Sequence, residues 1–200
     1  MIRTRAENFF KAVIFLALAG SNLGLLPTDG DNSGTDKSSK LILKTEFQLT
    51  SQKFKMRNEI SCGVVVMRKI KEELQVLVIK QASGKHWTLC KGHIEPTDDG
   101  NLSTAKRELL EEVNLTIKTW LFDEKTFENN YQFERRGEMV NKTNIFFAGI
   151  VDDDTKLKIQ ESEILGYNWD TFKTAIEKVT YDTDKQILID VSQELEKAKI

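Results

Sequence analysis

Residues 92–115 read Gly-His-Ile-Glu-Pro-Thr-Asp-Asp-Gly-Asn-Leu-Ser-Thr-Ala-Lys-Arg-Glu-Leu-Leu-Glu-Glu-Val-Asn-Leu. Glu108, Glu111 and Glu112 are spaced three and four apart, so on a helix they are surface neighbours and their carboxylates converge. Like charges packed this way repel, unless a hard divalent cation such as Mg²⁺ sits among them beside a phosphate-bearing ligand. A glutamate-rich helical face is commonly just solvated, but three neighbouring features weigh against that here. Arg107 precedes Glu111 by four residues and can hold that carboxylate in one orientation. Leu102, Ala105, Leu109 and Val113 form an apolar stripe, so the helix has a face to bury opposite its acidic one. Lys91-Gly92-His93 lies upstream as a turn, with a cation beside a glycine whose backbone can approach a ligand.

The stretch resembles the box of the Nudix hydrolases, Gly-x5-Glu-x7-Arg-Glu-U-x-Glu-Glu-x-Gly-U with U aliphatic. Gly92, Arg107, Glu108, Leu109, Glu111, Glu112 and Leu115 match it by type. The interval from Gly92 to Arg107 is one residue longer, with the extra residue placed around Gly100. The first glutamate is replaced by Asp98 or Asp99, of which Asp99 keeps the seven-residue gap to Arg107. The second glycine is Asn114, which tolerates the left-handed backbone needed after a helix. Flanking segments are similar to the asymmetrical diadenosine tetraphosphate hydrolases within that family: Gln81-Ala82-Ser83, His86-Trp87-Thr88, Lys91-Gly92-His93-Ile94-Glu95-Pro96, Lys142-Thr143, and Glu163 through Tyr167 and Trp169. The likeness covers about residues 60 to 198.

That resemblance implies an α/β (α+β) fold, a mixed sheet sandwiched between helices, and metal-dependent cleavage of diadenosine tetraphosphate to ATP and AMP. It implies Mg²⁺, with Mn²⁺ as the alternative, held by Glu108 and Glu112, with Glu111 either a ligand or the base that activates water. The Gly92 carbonyl and Glu163 would complete the ligand set, and Arg107 would orient the carboxylates. Lys91 and His93 are candidates for phosphate contact, as is His86, whose other reading is a turn cap. Lys142 and Arg135 or Arg136 could neutralise outer phosphates. Tyr131, Phe146 and Tyr167 are candidate purine platforms, although aromatics in strands are more often core. The alternatives are another nucleotide substrate, a 5′-triphosphate RNA end, or a Nudix module that senses nucleotides without cleaving them.

Composition agrees with one enzyme domain. The chain has 200 residues, 40% hydrophobic and 30% charged, enough to bury a core. Its formal net charge of −2 gives no footprint for stable nucleic-acid binding, so a long-RNA substrate is disfavoured; the resemblance implies a nucleotide partner, and a monomer is expected. Cys62 and Cys90 make no disulfide framework; Cys62 reads as core and Cys90 as a spacer near the site. Residues 1–25 carry Arg3, Arg5 and Lys11 before an apolar run ending in Ala17-x-Ala19. This reads as a signal-like or targeting segment, too short to span a membrane, or as sequence preceding a start at Met56. The domain is expected to be cytoplasmic in the latter case, and secreted or organellar in the former. Residues 26–57 read as a disordered linker, and 58–200 as the catalytic domain.

Strands are expected over 60–68, 73–81, 87–90, 115–122, 127–133 and 144–151. Helices are expected from Asn101 or Ser103 to Val113, and over 169–179 and 183–197, the last amphipathic through Ile187, Ile189, Val191 and Leu195.

Overall fold

The computed structural model describes residues 56–152 and 156–200. The signal-like reading and the linker reading up to residue 55 therefore lie outside the described residues, while Met56 and Arg57, counted with the linker, are strand paired with Met139 and Val140.

The organising element is strand β1 (Met56–Ile70), whose middle is an unbroken apolar run. Strands buried on both faces read this way, and alternation sends successive side chains to opposite layers. Cys62, Val64 and Val66 pack into one core layer, while Val65 and Met67 pack into the other. β1 pairs in parallel with β7 (Glu138–Ile150) from Met56↔Met139 to Met67↔Ile150. Its other edge is shared: the first half pairs with β4 (Cys90–His93), the second with β2 (Glu73–Gln81). β2 also pairs with β3 (Trp87–Thr88) and β8 (Ile164–Thr171), and β7 with β5 (Thr119–Trp120) and β6 (Phe127–Arg135). The result is a mixed eight-stranded sheet among the described residues.

Helix α1 (Asn101–Val113) covers one face through Ala105, Leu109 and Val113, with Leu102 half-buried at the margin. Helix α3 (Asp182–Ala198), joined to the short α2 (Phe172–Lys178), covers the other face through Ile187, Leu188, Val191 and Leu195. The sheet sandwiched between helices matches the expected fold class.

Several boundaries differ for identifiable reasons. The N-cap of α1 is Gly100, with φ of 84° and no side-chain cap, rather than Asn101 or Ser103. The expected left-handed stop at Asn114 is present, with φ 55° and its N–H donating to the Leu110 carbonyl at 3.0 Å. The apolar stretch 115–122 is mostly not strand: Leu115, Ile117 and Leu121 are buried as a packed crossover, followed by a 3₁₀ turn at Phe122–Glu124. Trp169 to Thr171 belong to β8, because the Thr171 hydroxyl accepts the Thr174 N–H and starts the helix only at Phe172. In α3, Leu188 takes the buried place expected of Ile189.

Candidate active site

Three local features bring the carboxylate cluster together. β4 is held against β1 by the register Cys62↔Gly92, so Lys91-Gly92-His93 is extended strand rather than the expected turn, and it lies against Glu108 and Glu112 of α1. α1 buries its apolar stripe, so its acidic face turns back toward that strand. A Cβ at 92 would overlap the Glu108 carboxyl group, so glycine there lets that carboxylate lie against the β4 backbone. Glu108, Glu111, Glu112, Arg107, Lys91, Gly92, His93, Lys142 and Glu163 line one cavity of about 450 Å³, with Gln81 and Gln160 among its other walls.

Arg107 is the organiser. Its Nε and terminal nitrogens donate to both oxygens of Asp98 at 3.0 Å. It also donates to Glu108 and Glu111 at 2.9 Å each, and to the His93 carbonyl at 2.8 Å. Asp98 further accepts from the Glu95 N–H at 2.8 Å and the Thr104 hydroxyl at 2.9 Å. The Arg107 guanidinium and these donors hold its carboxyl well below the usual range. The acidic partner in the box loop is thus Asp98, although Asp99 preserves the family spacing; the longer loop places the earlier aspartate under the arginine.

Glu112 is buried, at 2% exposure. Its Oε1 accepts from the Gln81 side chain at 3.1 Å and its Oε2 from the Lys91 N–H at 3.1 Å. Burial, reinforced by the charge of Glu108, pushes its carboxyl up to about 8, with Lys91 opposing. Burial also raises Glu108, with Glu111 and Glu163 adding to it against Arg107. Among the described residues no three acidic, histidine or cysteine side chains already converge on one point. Arg107 draws Glu108 and Glu111 one way, while Gln81 and Lys91 hold Glu112 the other. The donor set nevertheless suits a hard divalent cation, being the carboxylates of Glu108, Glu111, Glu112 and Glu163 around one small cavity.

Lys142 is buried at 6% and approaches His93 Nε2 at 2.8 Å. Burial and the charges of Lys91 and Arg135 lower its pKa to about 8, with Glu59 opposing. Glu59 is occupied by His93 at 3.3 Å and by Arg135 at 3.0 and 3.1 Å. Arg135 and Arg136 line a neighbouring cavity instead of the carboxylate one.

The aromatic candidates separate. Tyr131 lines a second cavity of about 530 Å³ with Lys91, Phe133, Asn144, Tyr181 and the start of α3. His86 packs edge-on against Tyr181 at 5.2 Å, so it belongs to the rim of this cleft, not to the carboxylates. Phe146 is fully buried in the core with Val65, Ala148 and Ile187; it has no accessible face, and its role as a purine platform is withdrawn. Tyr167 is exposed on β8, opposite Ile79, and lines neither cavity. Gln81, Tyr181, Phe133 and Asn144 were not singled out from sequence. Gln81 carried a signal in the Gln81-Ala82-Ser83 likeness, and Phe133 and Asn144 each carried one as the residue two along the same strand face from Tyr131 and Lys142.

The fold is thus a helix–sheet–helix sandwich with an arginine-braced acidic helix packed over the glycine of β4. The chain belongs to the NUDIX domain family, which matches residues 58–190. Among solved structures it is similar to an Ap4A hydrolase binary complex from C. elegans, with 22% identity, TM-score 0.58, and coverage of 69% of this chain and 98% of that one. It is also similar to the NUDIX domain of Shewanella oneidensis NrtR complexed with ADP ribose, at 13% identity, TM-score 0.58, covering 76% and 98%. A third is the E. coli dihydroneopterin triphosphate pyrophosphohydrolase, at 19% identity, TM-score 0.53, covering 64% and 91%. Likeness at these identities shows the shared fold.

Proposed function

We propose that this chain hydrolyses diadenosine tetraphosphate asymmetrically, giving ATP and AMP. The observation that carries the reading is that Lys91 lines both cavities. It joins an aromatic cleft, suited to a nucleobase, to a carboxylate cavity, suited to a polyphosphate. The Ap4A hydrolase from C. elegans and the segment Gln81 to Pro96 support the same substrate class.

Glu108 and Glu112, with Glu111, Glu163 and the Gly92 carbonyl, are the groups that would hold Mg²⁺ or Mn²⁺. When bound, that ion supplies neutralisation of the phosphate oxygens and a lowered pKa for water. The chain's own residues do the rest. Tyr131 stacks a base, which contributes on the order of 1–3 kcal/mol. Lys91, Lys142 and His93 face the anionic chain. Glu111, half exposed and ion-paired with Arg107 at 2.9 Å, serves either as a further ligand or as the base that takes the proton of the attacking water. The water oxygen bonds to phosphorus as the bond to the bridging oxygen breaks, and the leaving phosphate departs with its nucleoside.

The test is chromatography of products after incubating the full chain with diadenosine tetraphosphate and Mg²⁺. Equal ATP and AMP are expected. Two equivalents of ADP would refute the asymmetrical reading.

A further inference from the structure

The aromatic cleft contains a polar group that the proposed chemistry does not use. Asn144 lines it, is 1% exposed, and its Oδ1 has no hydrogen-bond partner. A buried carbonyl oxygen without a donor is uncommon and calls for an explanation. Its orientation follows from a relay. Asn129 is the direct cross-strand neighbour of Asn144 in the β6–β7 register. The Asn129 Nδ2 donates to the Thr183 carbonyl at 3.2 Å, which can only accept. That leaves Asn129 Oδ1 to accept from Asn144 Nδ2 at 3.0 Å. The Asn144 amide nitrogen is thereby committed, and its oxygen is the end that remains.

Neighbouring polar walls have partners of their own, and the Tyr131 hydroxyl is hydrogen-bonded with the Asn144 side chain. Asp184 is buried and accepts from the Thr88 hydroxyl at 2.7 Å, and Lys91 Nζ approaches the same hydroxyl at 2.5 Å. Asp182 accepts from Lys185 at 2.9 Å. Tyr131, Phe133 and Tyr181 supply flat apolar surface. The cleft thus offers faces for a planar ring and one neutral, unpartnered acceptor.

We infer that Asn144 is a specificity-determining residue: its Oδ1 accepts a hydrogen bond from the exocyclic amino group of a nucleobase held in this cleft, so the site favours an amino-bearing purine over one lacking it. The inference rests on the proposed function for the idea that a nucleotide enters the cleft, and it goes further by naming the edge that is read. A site built to hydrogen-bond a ligand N–H discriminates against the analogue without it, because its own polar group is then left unpaired.

The test is equilibrium binding by calorimetry to the full chain, using AMP and purine riboside 5′-monophosphate, which lacks the amino group. AMP is expected to bind about five- to tenfold more tightly, the range of one neutral hydrogen bond. In Asn144→Leu the two ligands should bind within about twofold of each other, through loss of AMP affinity alone. Equal binding by the wild-type chain overturns the inference and needs no variant to be stable. A preference that survives Asn144→Leu, or binding of neither ligand, also overturns it. Hydrolysis measured in parallel separates the two claims. Turnover without an amino preference defeats only this inference, whereas an amino preference without turnover defeats only the hydrolase reading.

Discussion

Replacing Glu112 by Gln should make the metal-free protein more stable at alkaline pH while removing activity. The side chain is 2% exposed and its carboxyl is pushed up to about 8 from an ordinary 4.5. An acid whose folded pKa lies above its unfolded one contributes its full stability below 4.5 and loses it as pH rises through 8. At 1.36 kcal/mol per pH unit, that interval corresponds to about 4–5 kcal/mol. Glutamine does not titrate, so the variant escapes this loss. It keeps only one good acceptor for the two donors that Glu112 receives, from Gln81 and the Lys91 N–H at 3.1 Å each. That mismatch costs about 1–2 kcal/mol at every pH. The variant should therefore be less stable than wild type by about 1–2 kcal/mol near pH 4 and more stable by about 3 kcal/mol near pH 8.5. At about 2–4 °C per kcal/mol, the melting temperatures should cross between these limits. Thermal unfolding in a chelator at several pH values reads the crossing. A difference that is constant with pH would show that Glu112 is not held neutral by burial, and the reasoning would fail.

Arg107→Met removes the group that pairs Asp98, Glu108 and Glu111 and leaves Asp98 only its bonds from the Glu95 N–H and the Thr104 hydroxyl; the urea midpoint should fall, and an unchanged midpoint would contradict the clamp. Gly92→Ala should leave the fold intact by circular dichroism but displace the Glu108 carboxyl group, lowering kcat by about 100-fold; unchanged kcat would remove that contact from the mechanism. Phe146→Ala should cost about 3–5 kcal/mol of stability, because the ring is fully buried. Tyr131→Ala should cost under about 1 kcal/mol of stability while raising KM by about 10-fold or more; the reverse pattern would return Phe146 to the site.

The carboxylate helix was the most legible element, because its spacing, apolar stripe and left-handed stop at Asn114 are all local properties. β1 was legible for the same reason, as an apolar run too short for a helix and buried on both faces. Long-range pairing was not. The Gln81 contact to Glu112 spans 31 residues and the Thr88 contact to Asp184 spans 96, and no periodicity encodes either. Phe146 misled because it stands where the resembled hydrolases have a tyrosine, whereas here α3 packs over its ring with Ile187 and Leu188. The choice between Asp98 and Asp99 depended on loop geometry, since one extra residue before α1 shifts which aspartate meets Arg107. The strand at 164–171 was hidden by the aromatic and polar mixture of Tyr167-Asn168-Trp169, which fits an exposed sheet edge as well as a helix.

The central claim is that the acidic face of α1, over Gly92 of β4, hydrolyses phosphoanhydrides with a divalent metal. The most direct measurement compares nucleotide hydrolysis by the full wild-type chain and by Glu112→Gln, each with Mg²⁺ and with chelator, using diadenosine tetraphosphate, ADP ribose and ATP as substrates. The account predicts turnover of diadenosine tetraphosphate by the wild type that needs metal and falls by at least about 100-fold in the folded variant. Turnover that survives in Glu112→Gln, or a wild-type chain that cleaves none of the three with metal present, would contradict it.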